Sequence, residues 1–293
     1  MNVYVNGSII KEEEAVISVY DHGFLYGIGL FETFRTYGGR PFLMEEHQRR
    51  MEASCKELGI SYIPDKQEWE SIVEELLQSN GLEDAYIRFT VTAGADALGL
   101  PTGDYDKPSV VVYVKGLPPR NEELYRSGKP LQLLALPRNT PEGQIRFKSL
   151  HYMNSILAKR ELAQYAWAAG AEGLQLTQDG YLAEGIVSNV FFVKNDRLYT
   201  PSLDTGILSG ITRAHVVVLA RQLLLPVEEG RYTWQDLLNA DEVFITNSIQ
   251  ELVPISTLFD TNGQRHIVAS GTAGYWTLQL LTAYQSSIDN NNE

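Results

Sequence analysis

At 293 residues, 44% of them hydrophobic and 21% charged, the chain has a globular composition and the length for two ordinary domains. Its formal net charge of −13 argues against duplex nucleic acid or an anionic membrane as partner, yet leaves room for a locally basic pocket holding a small anion. The single cysteine, Cys55, excludes an internal disulfide and fits a reducing, cytoplasmic setting; "MNVYVNGSIIKEEE" lacks a signal-peptide pattern, and no apolar run reaches membrane-spanning length.

Residues 2–5 and 8–10 are predicted as short strands around the turn "NG". The glycine-rich "YDHGFLYGIGLFETFRTYGGRPF" spans strand and turn. "LMEEHQRRMEASCKELGI" is predicted as a helix closed by Gly59, and a second helix covers about 65–79. "AYIRFTVTAG" and "PSVVVYVKG" are predicted strands. "LPPRNEELYRSGKP", with Pro118, Pro119 and Pro130, is the best linker. Beyond it come a strand "LQLLAL" and a β-like "IRF" before Lys148. The helix that follows carries Tyr152, Ile156, Leu157 and Ala163 at helical spacing. "GLQLTQDGYLAEG" and "VSNVFFVKNDRLYTP" are hairpin-like; "LDTGILSGITRAHVVVLARQLL" runs from loop to helix, and "DEVFITNSIQELVPI" from strand to turn. Strands and helices mix without regular βαβ alternation, which predicts an α+β fold. We expect an N-terminal domain over 1–118, a linker over 119–129 and a C-terminal domain over 130–293 that carries Lys148.

Several residues could carry chemistry. The helical stripe Leu43, His47, Met51, Cys55, Leu58 points inward, and Arg50 lies against it. An arginine there needs an anion, either a carboxylate partner or a ligand. "SGITR" opens a helix whose first amides, at Ile211 and Thr212, favour an anion; simple N-capping by Ser209 is the alternative. Thr246, Asn247 and Ser248 form a polar turn after the apolar "VFI". Three potential phosphate contacts without a Walker-type loop suggest a phosphate monoester. Glu184 ends "GYLAE" and could pair with a protonated ring nitrogen or sit solvated in a loop. Tyr86, Arg88, Thr90 and Thr92 share one strand face, which meets solvent or lines a cavity.

The ordered set "YGIGLFETFRTY", "EEHQRRMEAS", "RFKSLHYMN", "YLAEGIVSNVFF", "LSGITR" and "ITNSIQELVP" resembles fold-type IV pyridoxal-phosphate enzymes over about residues 2–256. These include branched-chain and D-amino acid aminotransferases and 4-amino-4-deoxychorismate lyases. The resemblance implies a two-domain fold with pyridoxal 5'-phosphate at the domain interface, a homodimer and a small-molecule substrate; no metal site is expected. It implies that Lys148 holds the cofactor aldehyde covalently and then acts as the base. Glu184 matches the carboxylate on the pyridine nitrogen. Arg50, Ile211, Thr212 and Ser248 match the phosphate cradle. Tyr26, Phe31 and Arg88 are the expected substrate contacts, with Arg88 for a carboxylate, Arg138 and Arg146 as lesser candidates, and Tyr26 or Thr33 as proton donor.

Within the family, D-amino acid aminotransferases carry an Arg-x-His trap where this chain has Leu98 and Leu100. Branched-chain enzymes typically show "FEGIR" and "EGxGENLF", and a tyrosine where this chain has Met153. "DHGFLYGIGLFETFR", "RNTPEG", "KSLHYMN", "EGIVSNVF", "YTPSLDTGIL" and "TNSIQELVP" look most like bacterial aminodeoxychorismate lyases, which release 4-aminobenzoate and pyruvate in folate biosynthesis. An aminotransferase acting on D-amino or branched-chain amino acids is the alternative.

Overall fold

In the computed structural model, which describes residues 1–291, Asn6 and Gly7 both take positive φ (46° and 94°). That geometry is required of a two-residue hairpin turn and joins β1 (Asn2–Val5) to β2 (Ser8–Lys11). The chain divides into two units. The first takes residues 1–119 with 147–151, and the second takes 120–146 with 152–291.

The first unit continues with α1 (His22–Tyr26), β3 (Gly29–Tyr37), β4 (Arg40–Pro41), α2 (Met44–Glu57), α3 (Lys66–Asn80), β5 (Ala85–Thr92) and β6 (Ser109–Gly116). Its six strands run in the order β2-β1-β6-β5-β3-β4, with antiparallel pairing throughout. Strand alternation sends Leu30 and Phe34 of β3 and Ile87, Phe89 and Val91 of β5 to one face, where Met51, Cys55 and Trp69 from the helices complete a core. Trp69 stacks on Phe89 at 3.9 Å between centroids and donates its indole N–H to the Tyr62 hydroxyl. The α2 stripe falls inward as predicted, with His47, Met51 and Cys55 buried. Gly59 follows α2 at φ +64, and Gly81 caps α3 at φ +63, both in the left-handed region that glycine enters without steric cost.

Residues 147–151 depart from the expected organisation. "IRF" is not a strand, and Lys148 groups with the first unit, not with the C-terminal domain. The reason is hydrogen bonding: Phe31 N donates to Lys148 O, Leu150 N donates to Gly29 O, and Ser149 bridges Leu30. The segment thereby extends the start of β3. Gly29 permits the approach, since a Cβ there would lie 2.7 Å from Leu150 Cδ1.

The second unit holds α4 (Glu122–Ser127), β7 (Lys129–Leu133), α5 (Met153–Leu162), β8 (Glu172–Leu176), β9 (Leu182–Gly185), β10 (Asn189–Lys194), β11 (Arg197–Pro201), α6 (Ile211–Gln222), β12 (Val227–Gly230), α7 (Trp234–Leu238), β13 (Glu242–Asn247), β14 (Glu251–Phe259), β15 (Arg265–Ile267) and α8 (Tyr275–Asn291). Its sheet runs β12-β11-β10-β13-β14-β7-β8-β9, with β15 also paired to β14. Parallel pairing occurs at β11/β12, β14/β7 and β7/β8. Phe191 and Phe244 stack at 5.1 Å between centroids in the core, and α6 and α8 pack beside β13. Helices and sheets thus form an α+β architecture.

One further expectation needs correction. The expected 119–129 linker is largely structured: α4 begins on an Asn121 cap, packs on β14, and β7 starts at Lys129. α5 starts at Met153, and its buried residues are Ser155, Ala158 and Leu162, while Ile156 and Leu157 are exposed. Small Ser155 and Ala158 let the helix approach closely, and the larger Ile156 and Leu157 fall on its outer face. Among the described residues, no helix is long and apolar enough to cross a membrane.

Candidate functional site

In the first unit, β3 presents a different chemistry on each face. Phe31 is buried, with the Arg88 guanidinium carbon 3.6 Å from its ring centroid and Lys148 Nζ 4.6 Å from the same centroid. Two cations on one aromatic ring make a locus suited to an anionic group, because the ring's negative face offsets only part of their charge. Arg88 stands directly across from Thr33 on the neighbouring strand. The Tyr86–Thr92 face is largely covered, with Thr90 and Thr92 buried.

On the opposite face, Glu32 is buried under α2. It accepts hydrogen bonds from Arg50 Nε (2.7 Å) and Nη2 (2.6 Å), and from His47 Nδ1 (2.6 Å). Burial opposes ionisation of Glu32, yet the Arg50 guanidinium and the His47 hydrogen bond outweigh it and draw the carboxyl down to about 2. Burial also holds His47 below its ordinary value, so it donates from Nδ1 as a neutral ring. Arg50 therefore has a carboxylate partner, one of the two kinds of anion its helical position allowed, and Arg49, one residue earlier, is exposed and pairs with Glu46. Glu32 was the missed residue. Its signal was alternation in "GLFETF", which places it on the same inward face as Leu30 and Phe34.

Tyr26 sits near the base of the 95–107 loop. Its hydroxyl accepts from Gly99 N at 3.0 Å, and the buried His22 ring bonds the Tyr105 hydroxyl and Ala97 O. Ala97 O can only accept, so His22 Nε2 donates to it. Leu98 and Leu100 stand exposed on this pinned loop.

In the second unit, Glu184 is buried at the end of β9, not solvated in a loop. Arg138 Nε donates to its Oε1 at 2.8 Å; Leu208 N (3.0 Å) and Asn189 Nδ2 (3.3 Å) donate to Oε2. Arg146 Nε lies 3.8 Å from Glu184 and donates to Gly206 O. Burial, followed by the neighbouring Arg138 charge, pushes Arg146 down to about 10. Arg138 and Arg146, considered above for a substrate carboxylate, are thus engaged around Glu184. A carboxylate has about four lone-pair sites, and three short hydrogen bonds leave capacity for one more donor.

Gly210, not Ser209, is the N-cap of α6, and no side chain caps this helix start. The position is closed to larger residues, since a Cβ on Gly210 would lie 2.0 Å from Asn189 Oδ1. First-turn amides at Ile211 and Thr212 have no intrahelical acceptor. Thr212 Oγ1 lies 3.3 Å from Ser248 Oγ, and Asn247 Oδ1 shapes the Ser248 turn by accepting from the amides of Ile249 and Gln250. The buried Thr246 hydroxyl, on the strand leading into that turn, has no hydrogen-bond partner. Two hydroxyls beside an uncapped twelve-residue helix suit a phosphate oxygen set. The expected site residues divide by unit: Tyr26, Phe31, Arg50, Arg88 and Lys148 lie in the first, and Glu184, Ile211, Thr212 and Ser248 in the second. Among the described residues, no group of three or more His, Cys, Asp or Glu side chains is placed to hold a metal ion.

The sequence profile of the amino-transferase class IV family matches residues 29–258. The chain is 42% identical over 290 residues to an aminodeoxychorismate lyase of Bacillus subtilis (strain 168), covering 98% of this chain and 95% of that protein. A putative branched-chain-amino-acid aminotransferase of Methanocaldococcus jannaschii is 39% identical, over 90% of this chain and 89% of its own. Among solved structures, the T.th. branched-chain amino acid aminotransferase with pyridoxamine 5'-phosphate superposes with a TM-score of 0.83 at 33% identity. That match covers 99% of this chain and 94% of the other.

Proposed function

Because the chain belongs to the aminotransferase class IV family, we propose that it is a pyridoxal 5'-phosphate enzyme that cleaves 4-amino-4-deoxychorismate to 4-aminobenzoate and pyruvate. The observation carrying this reading is the likeness, across nearly the whole chain, to the lyase from Bacillus subtilis. The branched-chain relative supports an aminotransferase as the second reading.

The donor set fits the cofactor. Ile211 N, Thr212 and Ser248 would hold its phosphate, with Arg50 oriented by Glu32 supplying charge. Glu184, kept in place by Arg138 and Asn189, would accept from a protonated pyridine nitrogen. When bound, the cofactor supplies an electron sink for the pair left behind as a proton leaves the substrate.

Lys148 would attach to the cofactor aldehyde and, once displaced by the substrate amine, take the proton from the amine-bearing ring carbon. Arg88 beside Phe31 would orient the ring carboxylate, and Phe31 would exclude water from that side. Loss of the ring proton accompanies cleavage of the ether carbon–oxygen bond. The departing enolpyruvate gains a proton and becomes pyruvate, while the ring becomes aromatic, so no redox partner or amino acceptor enters the balance. Tyr26 or Thr33 would supply the leaving-group proton. We place the enzyme in the cytoplasm as a homodimer. Exposed Val16, Ile17, Val19, Tyr20 and Phe24 give the first unit an apolar strip of the kind that copies of a chain cover in each other.

Borohydride reduction followed by peptide mapping tests the assignment of Lys148. A pyridoxyl group on the Lys148 peptide, absent from Lys148→Ala along with turnover, is the expected result; labelling of Lys159 would refute it.

A further inference from the structure

The turn that presents Ser248 is built against the backbone's own preference. Ser248, Ile249 and Gln250 join β13 to β14, and the residue closing this three-residue loop, Glu251, sits at φ +62. Glycine or asparagine ordinarily occupies such a position, because a Cβ is crowded there. Strained backbone of this kind persists only where its surroundings over-determine it.

The surroundings are specific. Glu251 is buried, and its two oxygens accept from Arg120 Nη1 at 3.1 and 2.9 Å. Gln285 Nε2 adds a contact at 3.4 Å. The Arg120 guanidinium carbon lies 4.0 Å from the Tyr125 ring centroid, and the Tyr125 hydroxyl donates to Gln250 O at 3.1 Å. Gly128, which ends α4, lies so close to β14 that a Cβ would approach Pro254 O to 2.7 Å. Residues 120–128 therefore grip both the last loop residue and the strained residue after it. At the other end of the loop, the Ser248 hydroxyl is set 3.3 Å from Thr212, at the start of α6.

We propose that Arg120, Tyr125 and Glu251 are positioning residues for the phosphate subsite, holding the Ser248 hydroxyl beside Thr212 against the strain at Glu251. The inference rests on the phosphate assignment above. It distinguishes this ion pair from a mere anchor for α4, because an anchor would affect stability without regard to the ligand's phosphate.

The test is equilibrium absorbance titration of the full chain, stripped of cofactor, with pyridoxal 5'-phosphate and with pyridoxal, which lacks the phosphate. Glu251→Ala removes the carboxylate of the clamp and keeps the Cβ that strains the backbone; Tyr125→Phe removes only the hydroxyl bond to Gln250. Pyridoxal 5'-phosphate affinity is expected to fall about tenfold in Glu251→Ala and about threefold in Tyr125→Phe. Pyridoxal affinity should hold in both, and the melting temperature of Tyr125→Phe should stay within a few degrees of wild type. Equal losses for both ligands, or no loss for either, would overturn the proposal. If Glu251→Ala does not fold, an unchanged ratio of the two affinities in Tyr125→Phe overturns it alone. A wild-type protein that binds both ligands equally would overturn the phosphate assignment itself, before any substitution is made.

Discussion

Glu32→Gln isolates the buried charge network that joins β3 to α2. Glu32 and His47 have side chains 2% and 1% exposed, and Arg50 is 13% exposed. Replacing the carboxylate by an isosteric amide removes the counter-charge of a guanidinium that water reaches poorly. Breaking one side of a buried pair costs about 3–5 kcal/mol, and the partial exposure of Arg50 places this case near 3 kcal/mol. The lowered pKa of Glu32 corresponds to a figure of similar size. Drawing Glu32 from an ordinary 4.5 to about 2 corresponds to roughly 3 kcal/mol in favour of the folded, ionised state. The folded value is depressed, so this stabilisation is fully present above about pH 4.5 and is lost as pH falls towards 2. Urea unfolding followed by tryptophan fluorescence should show Glu32→Gln destabilised at pH 7, with the gap to wild type narrowing below pH 4.5. A double change, Glu32→Gln with Arg50→Met, should recover part of the loss because neither charge is then stranded. A loss under about 1 kcal/mol at pH 7, or a gap unchanged down to pH 3, would refute the reasoning.

Arg50→Ala should weaken pyridoxal 5'-phosphate binding roughly tenfold or more by titration, whereas Arg49→Ala, on the exposed side of α2, should change it little; equal effects would put the helical phase in error. Glu184→Gln should leave the cofactor bound and slow turnover on the order of a hundredfold, since an amide does not favour a protonated pyridine nitrogen; unchanged turnover at saturating cofactor removes Glu184 from the mechanism. Gly94→Ala forces a Cβ to within 1.9 Å of Lys107 O at φ +79 and should lower stability by about 3 kcal/mol or more in thermal melts. Gly99→Ala, with open space around it, should cost less, and the reverse order would contradict the loop geometry.

Features encoded within a few residues were legible in the sequence. Asn6-Gly7 announced the first hairpin, Gly59 the end of α2, and the His47–Met51–Cys55 stripe the inner face of α2. Arg50 against that stripe implied an anion, but Glu32 lies eighteen positions away on a strand, and only the folded sheet brings the two together. The same limit applies around Glu184. Nothing local pairs Arg138 with a carboxylate 46 residues later, so a structural arginine looked available for substrate. α5 was legible as a helix but not in its inward face, because large apolar side chains mark that face only where the neighbouring element leaves room for them. Against β8, Ser155 and Ala158 fit, and Ile156 and Leu157 remain outside. The strain at Glu251 was invisible because the arginine that pairs with its carboxylate lies 131 residues earlier in the chain.

The most direct measurement of the central claim follows the products of purified protein, loaded with pyridoxal 5'-phosphate, acting on 4-amino-4-deoxychorismate. Elimination with aromatisation needs no amino acceptor, so pyruvate and 4-aminobenzoate should form in equal amounts without any added 2-oxo acid. Fast conversion of D-alanine or leucine with 2-oxoglutarate, beside negligible cleavage of aminodeoxychorismate, would contradict the account and leave the aminotransferase reading in its place.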